Sequence, residues 1–179
     1  MDDSQVLRNI ASSVILTMHQ IPQINHLPIE ELHRIPLGKL RKDATRLHAV
    51  CRYRKGISKE QIRGPEDVRC VDLHPEATPV QWEEYAKFLL YHEFLHALGF
   101  TGHDRTFRTL EALWPNKEAI GMGASFSAHL RRRGAKWAWT CPKCAKEHLR
   151  SKRGKGRYRC RDCRVTLIDV PYQTSRPNT

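Results

Sequence analysis

The chain has 179 residues, 40% hydrophobic and 28% charged, the balance of a soluble protein with room for one hydrophobic core and a small satellite module. Its net charge of +12 is one-sided: residues 1–130 hold 16 Lys/Arg against 16 Asp/Glu, whereas residues 131–179 hold 15 against 3. No apolar run approaches the ~18 residues of a membrane span, and the acidic opening "MDDSQVLRNI" lacks the basic segment of a secretory signal, so an intracellular protein is expected.

Val6, Leu7, Ile10, Val14, Ile15 and Met18 recur at helical spacing and predict an amphipathic first helix over residues 4–21. "IPQINHLPIEELHRIPLGKL" contains three prolines and predicts a short helix between Pro28 and Ile35, then a turn. "ATRLHAVCRYRKG" alternates with a period of two, Leu47, Ala49, Cys51 and Tyr53 on one face, and predicts a half-buried strand. "EDVRCVDLHP" predicts a second strand that ends at Pro75. Cys51 and Cys70, one in each, are expected to be free buried thiols.

"TPVQWEEYAKFLLYHEFLHALG" is read as a helix with Thr78 as N-cap, Pro79 at the first position, Gln81 completing a capping box and Gly99 as the stop. Such a helix would be about 30 Å long. A third helix is predicted from Arg105 to Leu113, capped by Asp104, and residues 116–136 are read as a linker with some helix. These elements describe an α+β protein with an N-terminal helix, a short antiparallel sheet, a long central helix and a following helix, and then a small C-terminal module in which Cys141, Cys144, Cys160 and Cys163 have the spacing of a zinc ribbon. The domain reading is 1–115, a 116–136 linker, a basic module over 137–170 and a disordered tail over 171–179.

His92, Glu93 and His96 form an H-E-x-x-H pattern. Residues i and i+4 share a helix face, so both imidazoles can address one metal, while Glu93 is rotated about 100° and is placed to act on a water rather than as a ligand. A catalytic zinc takes three protein ligands and keeps one position open. His103, seven residues after His96 and beyond Gly99, is the candidate third ligand; the spacing H-E-x-x-H-x-x-G-x-x-x-H is one residue longer than the metzincin pattern. Burying two histidines and a carboxylate in "FLLYHEFLHALGF" without a metal would be costly.

Cys141, Cys144, Cys160 and Cys163 form two C-x-x-C pairs fifteen residues apart, a spacing that points to one closed structural zinc site. Four thiolates and one Zn²⁺ would lower the +12 excess of residues 131–179 only to +10. Nucleic acid is the expected partner of such a field, through Lys143, Lys146, Arg150, Lys152, Arg153, Lys155, Arg157, Arg159, Arg161 and Arg164. Trp137, Trp139 and Tyr158 are interleaved with them, to stack on exposed bases of a single strand or to form the ribbon's small core.

"LLYHEFLHALGFTGHDRTFRTLEAL" resembles the SprT-like metalloprotease family, which includes Spartan, in its H-E-x-x-H helix followed by Gly102, His103 and Phe107 as G-H-x-x-x-F. The resemblance extends over roughly residues 44–165, ribbon included, with a short loop after His96 and "HDRT" in place of His-Gly-Pro-Glu. It implies a zincin-like fold, a catalytic zinc beside the structural one, Glu93 as the catalytic residue, and an endopeptidase that degrades proteins bound or crosslinked to DNA; a monomer is expected. The DNA expected is single-stranded or junction DNA rather than a specific duplex sequence, and the setting DNA-associated. Two other readings stand beside it. One is a YbeY-like metal-dependent RNA-processing hydrolase, a family that has glycine at the position of Glu93, a shorter spacing and no ribbon. The other is a non-enzymatic nucleic-acid-binding protein with two structural zincs.

Overall fold

The computed structural model describes residues 2–173. The chain divides into two units, Met1–Ala124 and Ser125–Thr179, and its mixture of helices and short sheets is α+β. Among the described residues no helix is long and apolar enough to cross a membrane.

In the first unit, helix α1 (Asp3–His19) buries Leu7, Ile10, Val14, Ile15 and Met18, the stripe that its spacing predicts. The segment Ile29–Arg34, between two prolines, is a 3-10 helix that buries Ile29 and Leu32 one turn apart. Strands β1 (Leu37–Lys39), β2 (Ala49–Tyr53) and β3 (Val68–Leu73) form a sheet of order β1-β3-β2. β2 runs antiparallel to β3, but β1 runs parallel to it, so the sheet is mixed rather than purely antiparallel. β1 went unread because three residues carry no alternation to detect. Leu47 lies ahead of β2 and is 43% exposed, so the predicted apolar face begins only at Ala49. Cys51 and Cys70 are free thiols, but half-buried rather than buried.

Helix α2 (Glu83–Ala97) starts later than the capping signals suggest. Thr78 donates its hydroxyl to Pro75 O at 2.9 Å instead of capping, and a 3-10 turn, Val80–Trp82, precedes the helix. α2 is therefore about 22 Å long, and it is buried nearly all round, from Tyr85 to Ala97. Its end is a Schellman motif: Gly99 N–H donates to His96 O and Phe100 N–H to Leu95 O, with Gly99 at φ +98°. Helix α3 (Arg105–Glu111) is capped by Asp104, whose carboxylate accepts from Phe107 N–H at 2.9 Å. The stretch read as a linker is mostly helical: α4 (Lys117–Gly121) is capped by Asn116, and α5 (Gly123–Arg133) buries Phe126 and Leu130.

The second unit carries β4 (Trp137–Thr140), β5 (Glu147–Arg150) and β6 (Ile168–Pro171) in an antiparallel sheet of order β5-β4-β6. Cys141, Cys160 and Leu167 form its small core, with Trp139, Cys163 and Val165 packed against them. Pro171 belongs to β6 and Tyr172 N–H donates to Lys136 O, so the segment read as a tail begins in ordered structure. Residues 174–179 of that predicted tail lie outside the described residues.

Candidate metal centres

His92 and His96 project from one face of α2, and the Schellman turn then reverses the chain within six residues to deliver His103 at the start of the next element. His103 Nε2 lies 3.1 Å from both His92 Nε2 and His96 Nε2. Four-coordinate zinc with nitrogen ligands at about 2.0–2.1 Å requires separations of about 3.3 Å between them, so the three imidazoles converge at the spacing that a metal demands.

The opposite ring nitrogens explain the convergence. His96 Nδ1 is 2.7 Å from Phe100 O, and a carbonyl can only accept, so Nδ1 carries the proton and Nε2 turns its lone pair inward. His92 Nδ1 is 2.6 Å from a carboxylate oxygen of Glu111, which also accepts from Arg108 at 2.7 Å. Burial works against Glu111's charge, but the hydrogen bonds from Arg108 and His92 outweigh it and hold the carboxyl below its usual range. Burial also depresses both imidazoles, His96 to about 4, which keeps them neutral and ready to ligate. Phe107 is fully buried beneath the three rings, with centroids 4.9, 4.6 and 4.8 Å from those of His92, His96 and His103.

Glu93 is only 6% exposed, and burial pushes its carboxyl up to about 7. The Cys51 N–H donates to its Oε2 at 2.6 Å from β2, one of the two edge strands of the sheet. Tyr53, two residues on, donates its hydroxyl to His96 O at 3.2 Å. That edge strand thus holds both the glutamate and the backbone of a metal-site histidine.

Sequence reasoning located the three histidines and Glu93 but missed Glu111, the Phe100 carbonyl and the Cys51 amide. Asp104 caps α3, as its position before that helix predicts, and is not one of these supports. The position of Glu111 was open to inference, because a carboxylate near the end of a helix that begins beside His103 can return to the metal face. The two backbone groups carry no sequence signal.

In the second unit the Sγ atoms of Cys141, Cys144, Cys160 and Cys163 all lie within 4.8 Å of one another, and Cys144 and Cys160 are 3.8 Å apart. Tetrahedral zinc with bonds of about 2.3 Å sets sulfur atoms about 3.8 Å apart, so the donor set fits. The two knuckles repeat one geometry. Ala145 N–H donates to Cys141 O and Cys141 N–H to Lys146 O; Arg164 N–H donates to Cys160 O and Cys160 N–H to Val165 O. Ala145 and Arg164, each just after the second cysteine of its pair, have φ values of 56° and 58°. Four thiolates leave no open position, so this centre is structural. His148 lies in β5, outside the cluster.

All ten predicted basic contacts are exposed. Lys146, Arg150, Arg159 and Arg161 surround a cleft of about 360 Å³ that also exposes Trp139 and Tyr158. These two rings stack at 4.2 Å and Arg150 covers Trp139 at 4.9 Å, which leaves Tyr158, 49% exposed, as the outer end of the stack. Lys143 and Arg164 belong to the knuckles, whereas Lys152, Arg153, Lys155 and Arg157 lie on the connection after β5, outside that cleft. Arg153 covers Trp137 at 4.2 Å, and Asp169 ties the connection down by accepting from the Gly154 and Lys155 amides.

No curated protein and no solved structure matches the chain. Residues 135–169 match the family model of the SprT-like zinc ribbon domain, so the cysteine-bearing unit is a zinc ribbon of the SprT-like kind, in accord with the resemblance carried by the H-E-x-x-H segment.

Proposed function

We propose that the protein is a zinc-dependent endopeptidase acting on proteins bound or crosslinked to DNA, with the ribbon as its DNA-binding module. One observation carries the reading: Glu93, buried and without a cationic partner among the described residues, is fixed by a single backbone N–H on the same helix turn as His92 and His96, whose imidazole nitrogens converge with that of His103. A carboxylate placed this way costs stability and contributes nothing to packing, which is the pattern of a catalytic base. His92, His96 and His103 would hold a zinc ion that supplies Lewis acidity toward a peptide carbonyl. With Oε2 tied to the Cys51 amide, Oε1 of Glu93 is the atom that takes the proton from water and returns it to the leaving amine. That glutamate favours peptide hydrolysis over the RNA-processing reading. The exposed Tyr158 end of the aromatic stack, ringed by arginines and lysines, supports single-stranded DNA as the ligand of the ribbon.

The test is cleavage of casein and of a DNA-bound protein, with and without single- and double-stranded DNA. The wild type should hold two zincs per chain and cleave, faster with DNA; Glu93→Gln should keep both zincs and lose cleavage. Wild-type rates in Glu93→Gln would overturn the mechanism, and two zincs without any cleavage would leave a binding protein.

A further inference from the structure

The charge balance of residues 1–130 conceals a second segregation. Residues 39–69 hold ten Lys/Arg against four Asp/Glu, while the remainder of 1–130 holds six against twelve. The structure gives this basic segment a focus. In the β2–β3 ladder Arg52 faces Cys70 and Tyr53 faces Val68, so Arg69 is an extra residue with no partner across the strand. Such a bulge redirects a side chain. Val71 and Leu73 point into the core and strict alternation would send residue 69 inward with them, yet Val68 is the buried residue and Arg69 is exposed.

Arg69 thereby joins Arg54, just past the end of β2, on a cleft of about 480 Å³ at one end of the sheet, walled by Ile35, Pro36 and Pro65. Of the other charged residues there, Glu31 is paired with Arg34, and Glu66 is the remaining acid. The loop between Arg54 and Pro65 adds exposed Lys55 and Lys59. Among the described residues, Arg54, Arg69 and Lys55 have no carboxylate partner, whereas Lys59 has its neighbour Glu60.

We propose that this cleft is a second nucleic-acid contact, separate from the ribbon, in which Arg54 and Arg69 bind phosphates of a DNA backbone. Cationic side chains left unpaired on a surface that is otherwise acidic, two of them aimed into one concavity, are suited to a polyanion. The cleft also lies beside the metal centre's support: Arg54 is three residues beyond Cys51, about 10 Å along the strand whose amide holds Glu93. DNA bound there holds an attached protein next to the catalytic carboxylate. The inference rests on the proposed action on DNA-bound proteins and adds where the DNA lies.

The experiment measures binding of the full-length, zinc-loaded protein to a labelled single-stranded oligonucleotide across a salt series. Each single-strand phosphate contact contributes about 0.7 to the slope of log K against log salt, so R54Q/R69Q should lower the slope by about 1.4 and weaken binding about tenfold at low salt. R54K/R69K keeps the charge and should restore the slope, which separates phosphate contact from damage to the bulge. Arg8→Gln, a charge removed from α1, should leave the slope as in wild type. A wild-type slope in R54Q/R69Q would overturn this site alone, and no binding by the wild type would overturn the DNA reading as a whole. Competition by oligo-glutamate as strong as by the oligonucleotide would make the ligand an acidic protein and overturn the assignment.

Discussion

Glu111 offers the sharpest test of how the histidine centre is held. Replacing it with alanine removes the acceptor of His92 Nδ1 at 2.6 Å and also frees Arg108. Arg108 has a side chain 57% exposed and passes to water at little cost, whereas the His92 side chain is 19% exposed and loses its orienting partner. A hydrogen bond to a charged group contributes about 1.5–3 kcal/mol, and loss of a metal ligand's supporting partner typically weakens affinity by about 10–100-fold, which converts to about 1.4–2.7 kcal/mol. The two magnitudes agree, so Glu111→Ala should weaken zinc at the histidine site by about 10–100-fold, and Glu111→Gln, which keeps an acceptor oxygen, by less. Competition against a chelating dye reads both zincs, with the four-cysteine site as internal reference. Affinity within twofold of wild type in Glu111→Ala would refute the positioning role, and equal weakening of both sites would indicate general unfolding instead.

Glu93 gives a pH dependence in chelator-treated protein. Its folded-state pKa of about 7 lies above the ordinary carboxylate value, so its contribution is full below about 4.5 and is lost as pH rises through 7. Glu93→Gln should therefore gain roughly 2–3 kcal/mol relative to wild type between pH 5 and pH 8; the opposing titration of His96 is common to both, and a constant gap in urea unfolding would exclude the effect. Ala145→Gly should raise the melting temperature of the zinc-bound protein, because left-handed backbone costs a non-glycine residue about 1 kcal/mol; a lowered melting temperature would count against that strain. Gly99→Ala places a Cβ 3.2 Å from Arg63 O at φ +98°, so stability should fall by about 1–3 kcal/mol. Because Gly99 sets the turn that brings Phe100 O to His96, zinc affinity at the histidine site should fall as well, and retention of both properties would show that the turn tolerates a side chain.

The sequence by itself determined the candidate ligands. Metal-site spacing is local: i,i+4 on a helix, two residues between the cysteines of a knuckle, and a glycine to end α2 are all set within one or two turns of chain. The charge excess of residues 131–179 and the stripe of α1 were legible for the same reason, since composition and a period of 3.6 need no partner to be seen. The start of α2 was misread because Thr78 bonds backward to Pro75 and its side chain never reached the helix. β1 and its parallel pairing with β3 were invisible, because three residues become a strand only when a neighbour more than thirty positions away supplies the ladder. The tertiary structure alone decided what makes the ligands usable: Glu111 and Phe100 O fix the imidazoles, the Cys51 amide holds Glu93, and a bulge turns Arg69 out beside Arg54. Most of these are contacts between elements distant in the chain, and a backbone amide or carbonyl is the same chemical group at every position. Only folding distinguishes the ones that matter.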